Sequence, residues 1–491
     1  MLLGEILVAN GLVAPAEVEA ALATQRLRGG RLGEILLARG SLREEDLRAA
    51  LEAVPDAPLS LAETGLGLPD LLDLLAKAMQ MGTVDTAAKA AEELRLPPRL
   101  AQQLMDEAKE RKLVEVLGQT GGGPSILIQP RFGLSAAGKD WARQAFEKNG
   151  YVGSAPVPLA DLAARIRRQA IGGERVAPEA VPRALAGLVA SDRLVERVGP
   201  AINSGRAMLL YGPPGNGKTS VAERIGSVYA STIYVPYCFE TGGQIVKVFD
   251  PDIHRPVPAP PPDAAARGGS IRARGLDPRW VACRRPFVVT GGELTLEMLD
   301  LSFNPLAKFY EAPLHVKALN GTFLIDDFGR QLVRPEALLN RWIVPMESRV
   351  DYLKLHTGKS FSLPFDALVI FSTNMPPGQL MDPAFLRRIP YKIEVEGPCP
   401  AAYRRIFRGA ATSRGIQEVP DGAIDFVVAE LTERNGFPLA AYQPGFLVDQ
   451  VLAACRYLGV PPRLDRDLLA AAIGNLYTRD SPGYGMAARV D

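Results

Sequence analysis

The stretch GTFLIDDFGR at 321–330 runs three apolar residues, Phe323, Leu324 and Ile325, into two adjacent aspartates. Neighbouring carboxylates repel, so a buried strand over Thr322–Ile325 that ends in Asp326 and Asp327 needs a metal, a basic side chain or open solvent at its tip. A second stretch, YGPPGNGKTS at 211–220, supplies a cation: it satisfies G-x-x-x-x-G-K-[ST] from Gly212 to Thr219, after an apolar run and at the start of a helix. Glycines in such a loop let backbone N–H groups turn inward on phosphates at a helix N-terminus, where the dipole favours anions. The predicted cradle is Gly212, Pro213, Pro214, Gly215, Asn216, Gly217, Lys218, Thr219 and Ser220. Lys218 is expected to neutralise β- and γ-phosphates, and Thr219 and Asp326 to hold Mg²⁺. Asp327 then acts as base or orienter for an attacking water. By itself a strand ending in two acids is more often the start of a loop; downstream of a phosphate loop it reads as a metal site.

These residues meet only if several strands end side by side. Apolar strand candidates recur at AMLLYG, TIYVPY, GTFLID, ALVIFSTN and YKIEVE between 207 and 396, with helical stretches between them, which predicts a parallel sheet. The residues resemble the AAA+ ATPase family at this point: LLYGPPGNGKT is similar to its Walker A, FLIDD to its Walker B and LVIFSTN to its sensor 1 strand. The resemblance implies an α/β P-loop domain over 180–398, a C-terminal helical lid over 399–482, and ATP with Mg²⁺ as cofactors. It puts Asn374 where the family orients the attacking water. It also makes Arg387 or Arg388, in LMDPAFLRRIPYKIEV, a catalytic finger that reaches the nucleotide of a neighbouring subunit. A solvated helix end is the plainer reading of that arginine pair.

Two positions depart from the family pattern. Asp327 stands where glutamate is usual, and Gly445 stands where a sensor 2 arginine is expected; Arg456, about three turns further along the same predicted helix, is a poor substitute. Roughly 100 residues separate the two nucleotide motifs, more than a minimal fold needs. KALNGTFLIDD resembles the approach to Walker B in the MoxR-like and enhancer-binding-activator branches, whose extra hairpins touch clients. Packing of a subunit interface by GGELTLEML is the equal alternative. The proline-rich insert at 254–263 reads as an exposed loop.

The first 58 residues hold a repeat. Gly4 aligns with Gly33, Leu7 with Leu36, Gly11 with Gly40 and Leu22 with Leu51, a shift of 29 without a gap. Each copy reads as a helix-turn-helix unit, so residues 1–58 are expected to be an all-α module. The copies resemble the MshEN module of type II secretion and pilus ATPases. That makes Arg31, Leu32 and Gly33 candidate contacts for cyclic di-GMP, with Leu2 where the first copy would need its arginine. A ligand-free docking module is the other reading. The Pro- and Gly-rich stretch from Val54 to Asp70 reads as a linker. Residues 69–148 then give three helices, two short strands around a tip at Gly121–Gly123 and a further helix, which resembles a winged-helix α+β domain. Lys109, Arg111 and Lys112 on its third helix are offset by Asp106, Glu107 and Glu110, so protein docking is favoured over DNA binding.

Composition narrows the rest. A formal net charge of +1 argues against a broad nucleic-acid-binding surface, and four scattered cysteines form neither a zinc cluster nor a disulfide framework. No apolar run reaches the roughly 18 residues of a membrane span, so a cytoplasmic protein without membrane insertion is expected. Together the motifs imply a multidomain remodelling ATPase, chaperone-like, assembled as a homo-oligomeric ring expected to be a hexamer. Its client would be a protein, of pilus or secretion assembly on the strength of the resemblance. A DNA-binding regulator with an ATPase switch, or a nucleotide-binding scaffold with little turnover, are the alternatives.

Overall fold

The computed structural model describes residues 54–119, 130–257 and 275–477 and, of the first 53, residues 4, 7–8, 12–44 and 46–47. The tip at Gly121–Gly123, the insert beyond residue 257, the lid beyond 477, and Leu2, Gly11 and Leu51 of the repeat lie outside the described residues.

Five short strands form the central sheet: β1 (Met208–Tyr211), β2 (Phe287–Thr290), β3 (Thr322–Ile325), β4 (Leu368–Thr373) and β5 (Tyr391–Glu394). Their order is β5-β1-β4-β3-β2, and every neighbouring pair is parallel. Both faces are covered. Phe323, Ile325, Val369 and Phe371 pack into one core cluster, whereas Leu324, Leu368 and Ile370 pack into another. That is the period-2 alternation of strands buried on both sides. Helix α1 (Lys218–Gly226) contributes to the second cluster, and α2 (Pro335–Ser348) covers the first face with Leu338, Leu339 and Trp342.

One expected strand is displaced. TIYVPY does not enter the parallel sheet: Thr232–Pro236 pairs antiparallel with Trp280–Arg284, and Phe287–Thr290 takes the edge beside β3. Segments from before β1 to after β2 build a second, mixed sheet, ordered Ser302–Asn304, Phe309–Glu311, Gln244–Lys247, Cys238–Thr241, Val157–Pro158.

The N-terminal modules lie against this body. Helices Leu68–Gln80, Ala87–Glu93 and Pro98–Glu110, the hairpin Val114–Gln119 with Pro130–Leu134, and helix Ala136–Lys148 follow the predicted order. Their apolar core is continuous with Cys238 and Ile245 of the second sheet, and Gly150 N–H donates to the Ala307 carbonyl at 2.7 Å. The expected linker is pinned as well. Ala57 N–H donates to Gly275 O at 2.8 Å and Asp277 N–H to Pro55 O at 3.0 Å, while the buried Arg279 guanidinium grips Asp277 and donates to Thr64 O at 2.8 Å. In the repeat, helices Pro15–Arg28 and Leu32–Ala38 pack together, and Gly40 takes the left-handed turn after the second, with φ 70°.

The lid begins with α3 (Pro400–Ser413) and contains Asp421–Ala429, α4 (Gln443–Leu458) and Arg466–Gly474 around its own core, including Tyr403, Phe407, Val427, Leu447 and Val451. No helix among the described residues is long and apolar enough to cross a membrane.

A buried polar cluster braces α2 against the hairpin formed by Val350–Lys354 and Ser360–Pro364. His315 Nε2 lies 2.6 Å from Asp351 Oδ2, and Arg341 donates to both Asp351 oxygens at 2.7 and 3.0 Å. Burial alone would raise the Asp351 carboxyl, but hydrogen bonds from His315 and Arg341 hold it below its ordinary value. Burial lowers His315 against the opposing pull of Asp351. Removing one member leaves buried charge uncompensated, so Asp351→Ala should destabilise this domain by roughly 3 kcal/mol, read as a lower urea midpoint at pH 7. Both depressed values act in the same direction. The unfolded chain takes up protons that the folded one refuses, so the His315 part is complete above pH about 6.5 and fades below it, while the Asp351 part persists until the pH falls below about 3.8; urea titrations from pH 7.5 down to about 3 would follow both.

Candidate functional site

Register brings the predicted residues to one edge. Ile325 pairs with both Thr290 and Phe371, and Thr373 pairs with Tyr211, so β1, β3 and β4 deliver their next residues to the same carboxyl end of the sheet. That edge, where the order turns at β1, is where open α/β sheets bind ligands.

The loop after β1 is shaped by its glycines: Gly212, Gly215 and Gly217 have φ of 141°, 79° and 78°, which L side chains rarely adopt. It enters α1 at Lys218, whose Nζ donates to the carbonyls of Gly212 and Pro213, both at 2.9 Å. Burial lowers the Lys218 pKa, while the charges of Asp326 and Asp327 oppose the shift. Pro213, Pro214 and Gly215 are exposed, Asn216 is buried and Ser220 is half-buried.

The two aspartates part company. Asp326 Oδ2 accepts from the Thr219 hydroxyl at 2.7 Å, and its Oδ1 accepts from the Asp327 N–H at 3.0 Å. Asp327 has φ 46°, a left-handed turn at a non-glycine residue, and its Oδ1 accepts from Asn374 Nδ2 at 2.9 Å. Thr219 with Asp326, and Asp327 with Asn374, are therefore two hydrogen-bonded pairs on one edge. The first pair offers oxygens only, which suits Mg²⁺, a hard cation bound through one or two carboxylates, phosphates and retained waters.

Gln331 was not singled out by any motif. Its Nε2 donates to Asp326 O at 3.1 Å and Gly291 O at 3.3 Å, and its Oε1 accepts from Gly329 N–H at 2.8 Å. It thus holds the turn that carries Asp327. The lid reaches the loop through a second unforeseen contact: Tyr442 N–H donates to Gly215 O at 2.9 Å and Ala441 N–H to Asn216 Oδ1 at 3.2 Å. Nothing in the stretch FPLAAYQPG at 437–445 signals either bond.

Between lid and sheet lies a cavity of about 1040 Å³, lined by Gly215–Gly217 of the loop, the segment from Gly187 to Asp192, the end of β5 and one face of α3. Small-molecule sites run to about 1,000 Å³. The arginine pair is split. Arg388 Nε donates to Glu347 of α2 at 2.5 Å and its Nη1 to Ala384 O at 2.9 Å, whereas Arg387 is exposed and has no partner among the described residues. Gly445 lies at the start of α4, where an added Cβ would approach the Arg414 guanidinium at 3.2 Å. Arg414 itself is bonded to Asp449, and Arg456 is exposed near the far end of α4, so neither lines the cavity.

In the N-terminal repeat only Arg31 of the three candidates is exposed, with Glu34 at 3.8 Å. Leu32 and Gly33 are buried, and the Leu32 side chain packs toward Gly4, so these two serve helix contact instead of facing solvent.

Over residues 399–475 the chain matches the model of a family described as a domain of unknown function, DUF8689, which starts where the lid starts. No curated protein matches. Among solved structures, the chain is similar to the RuvB Holliday junction branch migration motor of Thermotoga maritima, at 15% identity over 60% of this chain and 73% of that one, with TM-score 0.34. It is also similar to NtrX from Brucella abortus in complex with ATP, at 15% identity over 71% of this chain and 68% of that one, with TM-score 0.37. Both likenesses are distant. What the described residues themselves give is an α/β fold, a parallel sheet of five strands with helices on its faces.

Gly215→Ala tests the contact between lid and loop. Its Cβ would collide with the Tyr442 ring, and φ 79° strains any L side chain by roughly 1 kcal/mol. Amide exchange at Tyr442 is expected to accelerate at least about tenfold in this variant, with exchange of the α2 amides unchanged.

Proposed function

We propose that this chain is a Mg²⁺-dependent ATPase that works as a subunit of a homo-oligomeric ring and remodels a protein client. The observation that carries the reading is the double pairing at one sheet edge: the Thr219 hydroxyl on Asp326, and the Asn374 amide on Asp327, directly below a loop that buries Lys218. Lys218 supplies positive charge to the phosphate chain, and the backbone N–H groups that open α1 add their dipole. Thr219 and Asp326 would hold Mg²⁺, which when bound neutralises charge on the β- and γ-oxygens. Asp327 is aimed away from that pair by its left-handed backbone, and Asn374 fixes its carboxylate, an arrangement suited to accepting a proton from water.

The ring rests on the arginines. Arg388 is engaged within its own subunit by Glu347, which leaves Arg387 exposed and available to a neighbour. A catalytic arginine supplied in trans stabilises transition-state charge and explains why a single subunit would be incomplete. Client handling is assigned to the winged-helix-like module and second sheet, which share one apolar core.

Lys218→Ala should abolish measurable ATP binding by calorimetry. Asp327→Asn should keep ATP affinity within about threefold and lower turnover at least about 100-fold; undiminished phosphate release would move the base elsewhere. Arg387→Ala is expected to lose turnover alone and to regain part of it when mixed with excess Lys218→Ala subunits, which carry an intact Arg387. Arg388→Ala should instead lower the unfolding midpoint through loss of its tie to Glu347. Equal behaviour of the two arginine variants would contradict the assignment.

A further inference from the structure

The lid helix α3 turns one face to the cavity, made of Ala402, Arg405, Ile406, Gly409, Ala410 and Ser413. These positions recur at three- and four-residue spacing, so they form one stripe along the helix. All but Arg405 are small or apolar. Its neighbours are accounted for: Arg404 is paired with Asp425, Arg408 with Asp421, and Arg414 just beyond α3 with Asp449. Arg405 is exposed and has no partner among the described residues, and it is the one basic side chain among those lining the cavity. The acidic liners, Asp192, Glu394 and Glu396, stand on the sheet side. Glu396 is already paired, with Arg193.

We infer that Arg405 is the lid's contact with the phosphate chain of the bound nucleotide, a role that falls to α3 because α4 presents glycine at position 445. The inference rests on the assignment of this cavity to ATP. Among liners that are otherwise uncharged or carboxylate, the unpaired guanidinium of Arg405 is the side chain able to draw an anion, and its fork suits phosphate oxygens. The loop residues Gly215–Gly217 line the same cavity, so the phosphate-binding backbone and Arg405 open onto a common space. Closing α3 on the nucleotide would then require the charged chain and not the base alone. Lid position becomes sensitive to how many phosphates are present.

The test uses the full-length chain and ATP titrated by calorimetry, with Arg405→Lys, Arg405→Ala and Arg405→Glu. A cation that meets an anion predicts a graded series, with Lys close to the parent, Ala weaker by about tenfold and Glu weaker still. ADP should be penalised less than ATP by Arg405→Ala. Affinity unchanged in Arg405→Ala, or lost equally in the Lys, Ala and Glu variants, would overturn the inference, the second because it marks stacking on the base. Lys218→Ala run beside them separates the two readings: if it binds ATP like the parent, the cavity is not the ATP site. If it loses binding while Arg405→Ala does not, only the role of Arg405 fails. Unfolding midpoints are expected to be unchanged across the series, since the side chain is exposed and pairs with none of the described residues.

Discussion

Two carboxylates on consecutive residues at the end of a buried strand repel each other, and the rest of the site is built around keeping them there. The chain separates them by backbone geometry and occupies each with a different donor. Asp327 turns left-handed, so its side chain leaves in a different direction from that of Asp326. The Thr219 hydroxyl then satisfies one carboxylate and the Asn374 amide the other. Neither donor is near in sequence; Thr219 comes from the first turn of α1 and Asn374 from the residue after β4. Strand order is therefore not incidental. Because β4 lies between β1 and β3 and runs two residues beyond the Phe371 that pairs with Ile325, Asn374 arrives beside Asp327 while α1 reaches across to Asp326. A slip of one residue in β4 would turn its side chains to the opposite faces and take the amide away.

Much of this edge was legible because it is encoded locally. Glycines at 212, 215 and 217 declare a loop that only positive φ can close, and three apolar runs that end in Tyr211, Asp326 and Asn374 declare strands that stop at polar work. The strand beside β3 was less legible. TIYVPY and PFVVT are both short, β-branched and apolar, and nothing in either says which partner it meets. Phe287–Thr290 alternates buried and exposed positions as an edge strand does, while Thr232–Pro236 is nearly all buried under an antiparallel partner. That choice is made by contacts between segments roughly 50 residues apart, which local propensity does not record.

The linker teaches the same lesson from the other side. Its prolines and glycines describe a chain without its own helix or strand, and this much the composition states. What composition omits is Arg279, more than 200 residues later, whose buried guanidinium collects the carbonyls of Thr64 and Pro156 while Asp277 neutralises it. An unpaired buried charge would be costly, so the pair and its carbonyl partners form together or not at all. The N-terminal half is consequently fastened to the body at a polar pin as well as through the shared apolar core around Cys238 and Ile245.

The lid is fastened differently, and the difference bears on mechanics. Its link to the loop after β1 is a pair of hydrogen bonds at the start of α4, from Tyr442 to the Gly215 carbonyl and from Ala441 to the Asn216 side chain. Such bonds are directional and individually worth about 1 kcal/mol, so they transmit a change of loop geometry without welding the parts together. Helix α4 has 16 residues and so spans about 24 Å. Rotation by about 10° at its attached end carries the other by about 4 Å over that length. The far end presents Tyr457, 90% exposed, and Leu458, 58% exposed. A rearrangement around Gly215 that turned the lid as a body would thereby be enlarged at an apolar surface remote from the carboxylate pair, because Leu447, Val448 and Val451 lock this helix into the lid core.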